Sequence, residues 1–403
     1  MDPLFARTYT EIVGLFSNRL HGERRQMAMA TAIRLAPVVD DLLADTLAPL
    51  HHMVQQGFAP LLFARHIGTS PIPFSQTPNG YTRANHSKYV AALNTVFAAQ
   101  MQLPEAGTNA LVLAGLVHDV GHVALGHKME WAVRDIDPKF CHERNGLRRL
   151  LMDRDFETVL HGLKLSIADV FTIMYEQGPL GALQSLSDTV SYCFVDLLAY
   201  GFLGHRDEDL LLPTIYRLIN SLQLVEQGSA LHTASAVEIQ SVLSWRAMLY
   251  RDNFCAPESW RCHSALRSIL QSLNAARLLQ DFHPARFESD EAVLSHLREL
   301  THSTGRGSLI AMLNLANETS RSPTEWHVHG FPTEEAVLAW LRDHDDIEEV
   351  LGRSFMYARE PTSCLMKTIP VHSRGRTVAI GPREDVLLPI QGPAYALYEW
   401  IGP

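Results

Sequence analysis

The chain has 403 residues, 46% of them hydrophobic and 19% charged, the balance of a globular protein with a sizeable core. Its net charge is −10 and its basic residues form no dense stripe, which argues against a protein that holds nucleic acid mainly by neutralising phosphates. The opening Met1-Asp2-Pro3-Leu4-Phe5 lacks the basic and apolar regions of a secretion signal, and no run of about 18 apolar residues offers a membrane span, so a cytoplasmic protein is expected.

From Met1 to about Ile67 apolar residues recur three and four apart, as in Ile12, Leu15, Phe16 and Leu20, and predict helix. Residues 68–82 carry prolines and an Asn79-Gly80 pair and read as loop. Helical periodicity resumes from Arg83 to about Gln102, breaks over Pro104–Thr108, and returns as an apolar helix over Ala110–Val120. Further helices fit 142–153, 165–177, 183–203, 208–224 and 234–252, and 256–319 reads as helix interrupted near Pro257 and Pro284. Thr333 is placed to N-cap a helix reaching about Asp343. Ile369–His372 and Thr377–Ile380 flank a Ser-Arg-Gly-Arg turn and predict a β-hairpin, with Val386–Ile390 as a third strand. Trp326-His327-Val328-His329 alternates like a strand, and its two histidines are assigned to structure rather than to a metal. The fold class expected is mainly α: an N-terminal helical region (1–79), a helical core (80–320) and a small α+β appendage (321–403).

The five cysteines (Cys141, Cys193, Cys255, Cys262 and Cys364) form no Cys-x-x-Cys pair, so neither a disulfide framework nor a thiolate zinc site is expected. Twenty histidines are too many for a lone one to carry meaning; only spacing does. An apolar helix that ends in His118-Asp119, followed by Val120-Gly121-His122, must compensate its aspartate, and imidazole plus carboxylate is a ligand set for first-row metals. Upstream, Arg83 and His86 are three apart and share a helix face. Downstream, Asp188, Tyr192 and Asp196 recur at i, i+4 and i+8 within an otherwise apolar helix, so two acids and a phenol line one stripe of it. Such a stripe is costly to bury unless it faces a metal or a polar ligand.

His86, then His118-Asp119, then Asp188 resemble the H…HD…D pattern of the HD superfamily. The segment from His118 to Glu130, the Cys141-His142-Glu143 that follows and the Asp188, Tyr192, Asp196 spacing are similar to the deoxynucleoside triphosphate triphosphohydrolases of that superfamily. The likeness covers about residues 80–200. It implies an HD-type helical core in which His86, His118, Asp119 and Asp188 ligate one divalent transition metal (Mn, Fe, Co, Ni or Zn), with Mg as a further cation at the phosphates. It implies His122, Glu130 and His142 as catalytic residues, and Arg83, His127, Tyr192 and Asp196 as substrate-binding ones, the last two at the sugar. Water would attack the α-phosphorus and release nucleoside and triphosphate, and a homo-oligomer is usual in that family. The chain departs from the family at Ala124 and Leu125, where proline and phenylalanine are usual, and at Thr189, where a second acid often stands. Phe63-Ala64-Arg65-His66 occupies the place of a segment that helps read sugar and base.

Two other readings remain open from the sequence. His142 and His161 would join His118 and Asp119 around two metals, as in HD phosphodiesterases and HD-type di-iron oxygenases. A non-catalytic nucleotide sensor would keep the pocket without turnover.

Overall fold

The computed structural model describes residues 3–42, 83–134, 136–199, 208–225, 230–233, 236–255, 257–280, 282, 290–316, 326–343, 350, 353–358, 365–373, 376–390 and 393–401. Fifteen α-helices and seven short strands among these residues make the protein mainly α with small sheets, as the periodicity requires. None of these helices is long and apolar enough to cross a membrane. The expected helix over 43–67, the loop over 68–82 and the Phe63–His66 segment lie outside the described residues.

Helices α1 (Pro3–Ser17) and α2 (Gly22–Asp41) pack on α3 (Arg83–Met101), which lies against α4 (Glu105–Val117). Every residue of α4 from Thr108 onward is buried, because its sequence is apolar on all sides and has no face to offer water. The smaller helices α5 (Gly126–Arg134), α6 (His142–Met152), α7 (Arg154–Gly162) and α8 (Ile167–Met174) follow, and then the long α9 (Gly178–Ala199). One buried amide ties the three central helices together. Asn94 of α3 donates to the Leu111 carbonyl of α4 at 2.8 Å and to Gln184 Oε1 of α9 at 2.6 Å, and accepts from Ser187 of α9 at 2.6 Å. Gly115 of α4 leaves room for it, since a Cβ there would stand 2.6 Å from Asn94 Nδ2. A satisfied buried network of this kind fixes helix register more sharply than apolar contact alone.

After α10 (Glu208–Ser221) the chain departs from the expectation of helix up to 224: β1 (Leu222–Val225) and β2 (Ala230–Thr233) form an antiparallel hairpin. Helix α11 (Ala236–Leu249) runs into a π-helical turn (Tyr250–Phe254), and α12 (Pro257–Ala275), α13 (Asp290–Ser303) and α14 (Gly307–Ala316) complete the helical body. The hairpin expected near residue 370 is present as β5 (Ile369–Ser373) and β6 (Arg376–Ile380). It joins the first hairpin through a parallel pairing of His232 with His372, giving the order β1-β2-β5-β6. A second sheet has the order β3 (Trp326–Phe331), β7 (Tyr395–Trp400), β4 (Ser354–Ala358), beside α15 (Glu334–Arg342), whose N-cap is Thr333 as expected. The third strand expected over Val386–Ile390 is absent: Glu384–Val386 forms a 3-10 turn, and Pro389 cannot donate to a ladder. The small C-terminal sheets pack on the helical core, with Trp326, Phe355, Ile369, Val371 and Tyr398 in the same apolar cluster as α3, α4 and α9.

Candidate active site

His86 lies in the first turn of α3, His118 and Asp119 at the end of α4, and Asp188 midway along α9, so the Asn94 network that registers these helices also registers the four side chains. His86 Nε2 is 2.9 Å from Asp188 Oδ1 and 3.2 Å from His118 Nε2. His118 Nε2 is 3.6 Å from both Asp119 Oδ1 and Asp188 Oδ1, and His86 Nε2 is 4.0 Å from Asp119 Oδ2. Donor atoms about 2.1 Å from one ion and at right angles to each other stand roughly 3 Å apart, so these separations suit a shared divalent cation. His118 Nδ1 donates to the Gly115 carbonyl at 2.9 Å, which turns Nε2 toward the other three donors. Arg83, 2% exposed, donates to Asp119 Oδ2 at 2.7 Å. The guanidinium expected at phosphate lines the cavity and also orients the Asp119 carboxylate. Burial disfavours the His118 imidazolium, but the charges of Asp119 and Asp188 outweigh it and lift its pKa to about 9 in the metal-free protein. Asp188 is held far below the carboxylate range despite its desolvation, by hydrogen bonds from His118 and His86.

A second group of side chains adjoins the first. Glu130 of α5 is buried and accepts four times: Oε2 from His127 Nδ1 and His142 Nδ1, each at 3.0 Å, and Oε1 from Arg134 at 2.8 Å and the His142 backbone at 3.1 Å. Those bonds depress its pKa against the cost of burial. They also fix both imidazoles with Nδ1 as the donor and Nε2 as the outward nitrogen. His142 Nε2 lies 3.4 Å from Glu143 Oε1. The His122 ring stacks on His142 with centroids 3.9 Å apart, and its Nε2 is 3.3 Å from Asp119 Oδ1. Burial and the nearby Arg83 keep His122 neutral. The turn 118–122 reaches α6 through backbone contact. A Cβ on Gly121 would overlap the His142 carbonyl and the Gly146 nitrogen, so only glycine lets His142 come this close. Asn145 and Arg149 of α6 then donate to the Gly121 and Val120 carbonyls at 2.6 and 3.0 Å.

Both groups open into one cavity of about 550 Å³, a size suited to a small organic anion. Tyr192 lines it; Asp196 does not. Asp196 sits one helical turn further along α9, buried, with no hydrogen-bond partner for Oδ2 among the described residues, and desolvation pushes its pKa well up. His161 is exposed in the last turn of α7 and is not brought to the cavity.

Among the cavity residues that escaped sequence reasoning are Arg246 of α11, Tyr250 of the π-turn, and Lys367 just before β5. The Arg246 guanidinium lies 3.9 Å above the Tyr250 ring, hydrogen-bonds to Tyr192 and donates to the Leu365 carbonyl. Lys367 pairs with the half-exposed Glu176 at 3.4 Å across the cavity mouth. None of them carries a local motif: Arg246 and Tyr250 reach the site because α11 packs on α9, and Lys367 because the C-terminal strands return to the β1–β2 hairpin, where His232 Nδ1 also donates to the His372 carbonyl at 2.8 Å.

No family model matches this chain, and no curated protein matches it. Among solved structures it is similar to a phosphohydrolase from Bacteroides thetaiotaomicron, at 14% identity over 88% of this chain and 96% of that one, with a TM-score of 0.53. It is likewise similar to a hypothetical protein from Aquifex aeolicus, at 15% identity over 90% of this chain and 92% of that one, with a TM-score of 0.54. Across nine-tenths of its length, then, this chain has the fold of those proteins.

Proposed function

We propose that this protein is a metal-dependent HD-type phosphohydrolase acting on a nucleotide, with a deoxynucleoside triphosphate as substrate and nucleoside and triphosphate as products. The observation that carries the reading is the convergence of His86, His118, Asp119 and Asp188 within 2.9–4.0 Å on the wall of a cavity that a His–Glu–His group also lines. The shared fold with a phosphohydrolase supports the reaction class.

A cation at the four donors would supply Lewis-acid stabilisation of charge on phosphate oxygens. The chain supplies the rest. Arg83 keeps Asp119 ionised and oriented. Glu130 holds His127 and His142 so that each presents Nε2, which takes up a proton as an imidazole and, as an imidazolium, donates to a phosphate oxygen or to the leaving group. A proton received at His142 Nε2 lies beside Glu143, and Glu130 balances the imidazolium from the Nδ1 side. The proton of the attacking water goes to His142 Nε2 and passes from there to the leaving group, while neutral His122, between Asp119 and His142, packs against that ring. Tyr192, Arg246 and Tyr250 form the wall against which sugar and base would stack, and Lys367 meets the polyphosphate by leaving Glu176. Glu130 Oε2 is already shared by two imidazole N–H groups and His161 is remote, so the one-cation arrangement is preferred to the two-cation one.

The test is a screen of nucleoside mono-, di- and triphosphates with Mn²⁺, Co²⁺, Ni²⁺, Zn²⁺, Fe²⁺ and Mg²⁺, with products identified by mass. Release of triphosphate is expected. Nucleotide bound but never turned over with any metal would favour a sensor and sink the enzyme reading.

A further inference from the structure

We infer that the outer face of the β3-β7-β4 sheet carries a second cation site, built from His327, His329 and Glu399 and suited to Zn²⁺ or another first-row divalent ion. The sequence offers only the His-x-His pair, which any strand with one wet face can hold. The pairing of β3 with β7 supplies the missing acid: His327 is directly opposite Glu399, 72 positions further along the chain. Alternation along β3 puts His327 and His329 on one face, and the opposite face, with Trp326 and Tyr398, goes to the core. Helix α15 covers part of the outer face through Val337 and Leu341 against Leu397 and Phe331, and it leaves the histidine end accessible.

Three observations favour a ligand set over a chance cluster. One ring nitrogen from each histidine and one oxygen from Glu399 all lie within 4.8 Å of one another. His329 Nε2 stands 3.3 Å from Glu399 Oε2, and two ligands about 2.0–2.1 Å from a tetrahedral zinc ion are separated by roughly that distance. Both inner ligands are already oriented. Arg353 holds Glu399 Oε1 at 2.7 Å and leaves Oε2 toward the histidines, and the His329 ring lies 4.5 Å from that of Trp340. Outer contacts of this kind are what fix ligand geometry in metal sites. Three protein ligands on adjacent strands, with His327 at the solvent side, leave a fourth position for water, so a bound ion would clamp the edge strand β3 to the central strand β7.

The experiment counts zinc retained by the full chain after dialysis against buffered Zn²⁺, for the natural protein and for His327→Gln and His329→Gln. His327 is exposed, so its substitution spares the fold; a far-UV spectrum and a melting curve check this. Each variant is expected to hold one equivalent fewer than the natural protein, with affinity for that equivalent lowered about tenfold or more. Co²⁺ in place of Zn²⁺ should show d–d absorption of a four-coordinate ion that His327→Gln loses. An unchanged metal count and spectrum in both variants would overturn the proposal. The outcome is independent of the proposed hydrolase reading: His118→Ala should leave this equivalent in place, and His327→Gln should leave nucleotide hydrolysis as it is.

Discussion

Of the groups of imidazole and carboxylate donors among the described residues, two are assembled in opposite ways. His86, His118, Asp119 and Asp188 come from three helices whose relative positions are set by buried side chains, above all Asn94. His327, His329 and Glu399 come from two neighbouring strands whose relative position is set by backbone register. The first group sits at low exposure, so its charges are strongly coupled and its polar atoms must be compensated. The second stands at the rim, where solvent screens it. A helical site of this kind inherits the rigidity and the vulnerability of the core, whereas a strand site can be altered with little cost to the fold.

The comparison is broken most directly at the ligands. His118→Ala or Asp119→Ala should remove the core-bound metal and lower turnover by on the order of a thousandfold or more, about 4 kcal/mol of transition-state stabilisation. Metal analysis beside initial rates checks this, and a natural rate in either variant would be fatal to the site. Glu130→Gln should lower turnover by about a hundredfold, with the core metal retained, because the amide has one accepting oxygen where four donors converge on two, and its NH2 must face either the imidazole N–H groups or Arg134 and the His142 N–H. Loss of that metal would instead make Glu130 part of its coordination. Asn94→Ala leaves the Ser187 hydroxyl and Gln184 Oε1 without the partners Asn94 gives them, and should cost about 3 kcal/mol by chemical denaturation. His327→Gln should cost less than about 0.5 kcal/mol in the same assay.

Acidity sharpens the contrast. In chelator, the raised pKa of His118 adds stability that is fully present below about 6.5, its ordinary value, and is lost as pH rises through about 9. Melting temperature in EDTA should therefore fall over that window, while His118→Ala flattens this part of the profile. The smallest effect concerns Asp196. Its folded pKa is raised, so ionisation above about 3.8 works against folding, and Asp196→Asn should stabilise the protein by about 1 kcal/mol at neutral pH. Determined in parallel, the substrate profile shows whether this residue selects the sugar. An unchanged profile would remove it from that role.

The helices that carry the site were legible because α4 and α9 are long and apolar, and polar residues at helical spacing within such segments stand out. Asp188 could be placed on the same face as Tyr192 for that reason, and it does stand beside His86 and His118. Asp196 shares the stripe but not the cavity, since a stripe two turns long outruns a cavity that faces only part of it. Strands of four to six residues gave weaker signals. Leu222–Val225 has too few alternations to separate it from the end of a helix, and β4 and β7 pair across more than thirty residues of sequence. Arg246, Tyr250 and Lys367 were illegible, because each joins the site by tertiary return rather than by local pattern. Glu399 became meaningful only when register placed it across from His327.

The dependence of the cavity mouth on Lys367 and on the β2–β5 junction bears on how the protein matures during synthesis. A ribosome completes all four core donors by residue 188, yet the strand that brings Lys367 to the mouth is made almost two hundred residues later. A nascent chain therefore carries its acids and imidazoles for a long interval without the final wall that shelters them. A truncation upstream of residue 367 would take Lys367 from the mouth and, with it, Ile369, Val371 and Tyr398 from the core, so the wall of the pocket and the packing of the body are lost together.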